Sequence, residues 1–223
     1  MEGGPTLKYG NTVDLTLHFP FRIAICGSSS CGKTTATLDL IRKLDHTVDQ
    51  KIEQVIYLYN EESPDYTAFA AENKNVIFIN DVKLLDSYIN PDINQLVCID
   101  DFLIKLQKEQ EFSDYVTTFF CQKSHHTNTA VIFIVQNIFA KNLRTCRLNC
   151  THLCIFANRQ DSSSLRRLAS QIMPTKFKSF INSYYEAVKS PHGYLFIDFS
   201  SSDNSIRLSN SIYPRIDTKI YNV

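Results

Sequence analysis

The stretch from Phe21 to Thr35, FRIAICGSSSCGKTT, constrains this chain more than any other. Ile23-Ala24-Ile25-Cys26 is a short apolar run suited to a strand buried on both faces. Gly27 to Thr34 follow the spacing G-x-x-x-x-G-K-[ST], and Thr35 to Leu44 read as an amphipathic helix. A strand, a glycine-bounded loop and a helix, in that order, gather backbone N–H groups at the positive end of the helix. The expected nucleotide-binding set is therefore Gly27, Ser28, Ser29, Ser30, Cys31, Gly32, Lys33, Thr34 and Thr35. The N–H groups of Ser29 to Thr34 would converge on the β- and γ-phosphates. Lys33 would bring a point charge to the same oxygens, and the Thr34 hydroxyl a ligand for Mg²⁺. Only six glycines occur in the chain, and two of them bound this loop. The pattern predicts that the chain binds a nucleoside triphosphate such as ATP.

At 223 residues the chain suits one α/β domain with a full core. Lys+Arg and Asp+Glu are both 23, which excludes an indiscriminate polyanion binder. If nucleic acid is a partner, the basic residues must be gathered on one surface or in a ring pore. The seven cysteines are scattered with no C-x-x-C pair, which points to a reducing compartment and buried thiols. Cys146, Cys150 and Cys154 lie near His152, but Leu153–Phe156 reads as a buried strand and the spacing is not a usual zinc pairing. No secretory signal is recognisable, and no apolar run approaches the ~20 residues of a membrane span.

Beyond the first helix, apolar runs recur at Gln54–Tyr59, Val76–Ile79, Leu96–Ile99, Val131–Val135 and Leu153–Phe156. Short helices are expected between them, through Ala68–Ala71 and from Val82 to Ile89, with a helix or loop region from Phe102 to Cys121. Two longer helices are expected from about Ser162 to Ile172 and Phe177 to Val188. Strands alternating with helices predict a mostly parallel sheet covered on both faces. Tyr194–Phe199 and Ile206–Leu208 read as a closing hairpin. The expected organisation is an arm over 1–18 and one nucleotide-binding domain over 19–223, elaborated from about Asp161. The arm, with Val13, Leu15 and Leu17 alternating, is expected either as an edge strand or as a reach to a neighbouring subunit.

Leu96 to Asp101, LVCIDD, carries two carboxylates to the C-terminal edge of the sheet, where the phosphates would sit. Asp100 would hold Mg²⁺ through its water shell, and Asp101 would accept a proton from attacking water. Gln136 ends the next apolar strand. In additional-strand P-loop ATPases such a residue lies between the two phosphate-site strands and senses the γ-phosphate; Asn137 could share that role. Ser124-His125-His126 suggests a loop touching DNA phosphate or an adjoining subunit rather than a metal site. Arg144, Arg147 and Arg159 are candidates for an arginine supplied in trans to a neighbouring site. Arg166, Arg167, Lys176 and Lys178 read as a solvated helical face that matters only if it meets DNA.

These residues resemble the genome-packaging ATPases of Polinton/Maverick-type elements, virophages and related small double-stranded DNA viruses. The wider group includes the poxvirus packaging ATPase, the bacterial DNA pump FtsK and the HerA helicases. The resemblance runs from about Phe19 to Pro214. It rests on FPFRIAICGSSSCGKTT, VCIDDF, KSHHTNTAVIFIVQNIF, RTCRLN, LCIFANRQD, LRRLASQIMP, HGYLFIDF and IRLSNSIYP. It implies an additional-strand (RecA/FtsK-like) P-loop NTPase fold with a C-terminal helical and hairpin elaboration. It also implies Lys33 and Thr34 on phosphate and magnesium, Asp100 and Asp101 as the Walker B pair, and Gln136 as sensor. Arg144 is the preferred trans-acting arginine, with Arg159 second. Ser28 and Ser30 stand where the family has more proline and glycine, Asp101 where wider relatives often carry glutamate, and ANRQD lacks the family's proline.

The activity so implied is ATP hydrolysis driving double-stranded DNA into a capsid, with a capsid or portal-vertex protein as partner. The working state would be a ring, a hexamer or pentamer, without a membrane role. Its place would be the infected cell's nucleus or cytoplasmic virus factory, or the virion. Two other readings account for the loop: a small P-loop kinase, and a nucleotide-dependent assembly scaffold. The paired acids and Gln136 favour the motor.

Overall fold

Alternation of side chains along each apolar run decides which of two cores a residue enters. In the computed structural model, which describes residues 7–8, 14–140, 142–158, 160–200 and 205–221, those cores lie on opposite faces of one sheet. Its strands are β1 (Leu7–Lys8), β2 (Arg22–Cys26), β3 (Gln54–Tyr59), β4 (Val76–Ile79) and β5 (Gln95–Asp100). They continue with β6 (Thr129–Val135), β7 (His152–Phe156), β8 (Tyr194–Asp198), β9 (Arg207–Ser209) and β10 (Ile220–Tyr221). Among the described residues these ten strands run in the order β1-β10-β9-β8-β7-β2-β6-β5-β3-β4. The six from β7 to β4 are parallel, and the four beyond β7 join antiparallel.

The helices are α1 (Lys33–Arg42), α2 (Leu44–Thr47), α3 (Pro64–Glu72), α4 (Leu85–Tyr88), α5 (Leu103–Lys108) and α6 (Gln110–Thr118). They continue with α7 (Ser124–His126), α8 (Arg144–Leu148), α9 (Ser162–Ile172) and α10 (Phe177–Ala187). Ile23, Ile25, Tyr57, Leu96 and Cys98 pack against Leu38, Ile41 and Phe69 of α1 and α3. Ala24, Val97, Val131 and Phe133 face the other way, toward Val116, Leu165, Leu168 and Phe180 of α6, α9 and α10. Such double cover is what a parallel sheet requires, and the fold is that of an α/β P-loop NTPase.

Strand β6 lies between β2 and β5, pairing Ile25 with Ile134 on one side and Asp100 with Ile134 on the other. This is the additional-strand arrangement. Several local expectations are corrected. Helix α1 begins at Lys33, two residues before the expected start, because Gly32 at φ +103° makes the entry turn. The 102–121 region is two helices running into a π-helical turn at Phe119–Lys123. Ser124-His125-His126 is therefore a helical turn, with the buried Ser124 hydroxyl donating to the Phe120 carbonyl. The strands expected as a closing hairpin, β8 and β9, pair antiparallel, and β8 bonds directly to β7, covering what would be an open sheet edge. Leu7–Lys8 pairs with β10 of its own chain, and buried Leu17 bridges to Val48. No helix among the described residues is long and apolar enough to cross a membrane.

Candidate functional site

Strands β2, β5 and β6 deliver the loop 27–32, Asp100 and Gln136 to the C-terminal edge of the sheet. Helix α1 has no side-chain cap and no acid in its first turn, so its first N–H donors face the loop unneutralised. The loop is built around two close approaches. A Cβ on Gly27 would lie 2.7 Å from the Phe156 Cβ, and Gly32, at φ +103°, would bring one to 3.0 Å from the His192 Nδ1. Only glycine fits either place. Lys33 lies in the loop's curve, its Nζ donating to the carbonyls of Gly27 (2.9 Å) and Ser28 (2.8 Å).

Asp100 is the buried centre of the site, with 5% of its surface exposed. Its Oδ2 accepts three hydroxyls: Tyr57 at 2.6 Å, Thr34 at 3.0 Å and Tyr66 at 3.4 Å. Burial raises its pKa; the three hydroxyls pull the other way, the Asp101 charge adds to the rise, and the net shift is upward. The rings of Tyr66 and Phe78 stack at 5.0 Å, and Tyr57 meets both at a tilt, its centroid 5.2 to 5.3 Å away, which holds the two phenols in place. Tyr57 is itself fully buried, and burial followed by the Asp100 charge drives its pKa well up, so it stays a donor.

Asp101, the next residue, turns away. It adopts a left-handed backbone at φ +59° and presents its carboxylate to solvent. Gln136 Nε2 donates to its Oδ1 at 3.1 Å. A carboxylate and a carboxamide so paired can share one water, the acid taking its proton and the amide setting its orientation. Thr34 Oγ1 and Asp100 supply hard oxygen donors 3.0 Å apart, the donor chemistry Mg²⁺ selects. A cleft of about 370 Å³ opens beside Thr34 and Thr35, walled by Leu38, Tyr66 and Phe69.

The sequence-predicted residues from Gly27 to Thr35, Asp100, Asp101 and Gln136 thus share one edge. Arg144 does not join them; exposed at the start of α8, it lines a cleft with Arg147 and Arg167. Arg159 lies outside the described residues. His125 is far from the loop, paired with Arg22 at the opposite edge of the sheet. Sequence reasoning missed Tyr57, Tyr66 and His192. Tyr57 had a faint signal, since Tyr57 and Tyr59 alternate on one face of a strand ending beside the acids, and Tyr66, on helix α3, had none. His192, which donates to the Cys31 carbonyl at 3.1 Å, had none.

No protein-family model matches the chain, and neither does any curated protein. Among solved structures it is similar to the genome packaging NTPase B204 of Sulfolobus turreted icosahedral virus 2 in complex with ATP-gammaS. The two are 14% identical, with a TM-score of 0.57 over 87% of this chain and 100% of B204. It is also similar to the cytoplasmic domain of the Thermomonospora curvata type VII secretion ATPase EccC. There the identity is 10% and the TM-score 0.57, over 90% of this chain and 25% of that one. The pCW3 conjugation coupling protein TcpA with ATPgS is 15% identical, TM-score 0.52, over 82% of this chain and 58% of that one.

Proposed function

We propose that the chain is an ATP-hydrolysing motor that drives double-stranded viral DNA into a capsid, in the branch of Polinton- and virophage-type packaging ATPases. The observation that carries the hydrolytic part is the Asp101–Gln136 pair beside the phosphate loop, a water-activating geometry a phosphoryl-transfer kinase does not need. The fold shared with B204 over that protein's whole length supports the packaging part.

ATP lies along the loop from Gly27 to Thr35, with the N–H groups of α1 and the Lys33 ammonium on its β- and γ-oxygens. Thr34 and Asp100 would hold Mg²⁺, which when bound neutralises charge on those oxygens. Tyr57 and Tyr66 keep the Asp100 carboxylate in one orientation. Asp101 takes the proton from the water that Gln136 orients. Arg144 is offered to the neighbouring subunit, since its own chain's loop makes no use of it; the working assembly is a ring of five or six.

Steady-state ATP hydrolysis with and without long duplex DNA tests this, with Asp101→Asn as the blank. Stimulation by DNA that vanishes in the blank supports the motor. Hydrolysis indifferent to DNA, or none, sends the site to a kinase or an assembly scaffold. For the ring, Arg144→Ala inactive alone but rescued on mixing with Lys33→Ala subunits supports completion in trans; no rescue at any ratio counts against it.

A further inference from the structure

The chain's zero net charge conceals a separation. Residues 141–185 carry eight of the 23 Lys+Arg residues but only one of the 23 Asp+Glu residues, Asp161. That acid is already engaged, its Oδ1 accepting the Ser164 N–H at 2.9 Å and the Ser163 hydroxyl at 2.7 Å as the cap of α9. The described part of the segment folds as α8, β7, α9 and α10, with Arg144, Arg166, Arg167 and Lys178 exposed.

Between α8 and α9 lies a cleft of about 450 Å³ lined by Arg144, Arg147 and Arg167 over an apolar floor that includes Leu153 and Leu168. Two of the guanidinium groups are held in register. Arg147 and Arg167 each lie 4.6 Å from the centre of the Phe139 ring, and Arg147 also donates to the Gln171 Oε1 at 2.6 Å. Arg147 Nε is buried and finds no acceptor in the structure. Among the described residues no carboxylate forms an ion pair with any of the three arginines. Burial, then the charges of Arg167 and Arg144, push the Arg147 pKa down. Clustered cations with an orphaned donor and no internal counter-charge are in place for an anion from outside.

We propose that this strip, Arg147 and Arg167 together with the exposed Arg166 next in sequence and the exposed Lys178 in the first turn of α10, is a binding surface for the phosphodiester backbone of duplex DNA. The choice of DNA as partner rests on the motor reading. The need for an oxyanion rests on the arginines themselves. Fixed guanidinium forks match phosphate oxygens and read no base edges, as a motor indifferent to sequence requires. Helix α9, with 11 residues, is roughly 16 Å long, the axial rise of about five base pairs. The strip is also tied to the hydrolytic site, because the ring clamped by Arg147 and Arg167 stands three residues after Gln136. A phosphate that draws the two arginines therefore loads the segment that carries the amide facing Asp101.

The test is the anisotropy of a short fluorescein-labelled DNA duplex across a salt series, with a non-hydrolysable ATP analogue present. The triple variant Arg166→Gln/Arg167→Gln/Lys178→Gln is compared with a charge-matched control at exposed lysines elsewhere, Lys51→Gln/Lys74→Gln/Lys83→Gln. The strip variant should bind at least about tenfold more weakly, and its slope of log affinity against log salt should shrink by roughly two to three. The control should follow the unmodified protein. If the triple variant melts early, single Arg166→Gln and Lys178→Gln changes carry the test, each taking about one from the slope. A strip variant that binds like the control overturns the proposal and leaves the motor reading standing. No duplex binding by the unmodified protein at any salt overturns both. A strip variant with unchanged DNA affinity but altered sedimentation gives the surface to a second copy and also overturns the proposal.

Discussion

The two edges of the same sheet are built on different principles. At the N-terminal edge, polar side chains satisfy one another. His152, 2% exposed, bonds through Nδ1 to the Thr151 hydroxyl and through Nε2 to Asp198, while Ser200 donates to Asp198 at 2.7 Å. Serine, histidine and aspartate meet here, yet this is no catalytic relay, because serine and acid compete for the same ring nitrogen. At the C-terminal edge the donors outnumber their partners: Lys33 has only backbone carbonyls, and the first N–H groups of α1 have no cap. Closed polar groups hold a fold together; surplus, convergent ones wait for a ligand.

Substitutions can break this contrast. The largest effect should come at the open edge: Lys33→Ala or Asp101→Asn should lower ATP turnover by about 10²- to 10³-fold, read by phosphate release, with little change in melting temperature. Tyr57→Phe removes the 2.6 Å bond to Asp100 and keeps the ring. It should raise the Mg²⁺ concentration needed for half-maximal binding of an ATP analogue by about tenfold, seen by fluorescence titration without turnover. An unchanged Mg²⁺ requirement would make the tyrosine a packing residue.

The closed edge should respond in stability alone. His152→Ala leaves the half-buried Asp198 without its imidazole, and should cost about 2 kcal/mol in urea unfolding with turnover within about twofold of the unmodified protein. Burial alone would raise the Asp198 pKa, but the bonds from His152 and Ser200 outweigh it and hold the carboxyl well below its usual range. Its stabilising contribution is therefore full above the ordinary carboxylate pKa of about 3.9, and is lost as pH falls from there through the depressed folded value. Asp198→Asn should lower the melting temperature near neutrality, where that contribution is full, and flatten its fall with acid in that window. The smallest effect is expected at exposed His125, whose replacement by alanine should change stability by less than about 0.5 kcal/mol and turnover not at all.

What the sequence determined alone is what short-range pattern encodes. Glycine spacing marks the loop at Gly27–Thr34, and apolar runs of four to six residues mark the strands β2 to β7. The polar residues that end two of those runs, Asp100-Asp101 and Gln136, mark the working edge. These signals are local because each depends on backbone geometry over a few residues. The boundaries around Phe102–Cys121 were not legible, since a π-helical turn leaves no clear period. Only the tertiary structure decided that Tyr57 and Tyr66 close on Asp100, that His192 rests on Gly32, and that Phe139 lies between two arginines. Strand register and helix packing bring those partners together from residues eight to more than a hundred positions apart, and no local pattern records such contacts.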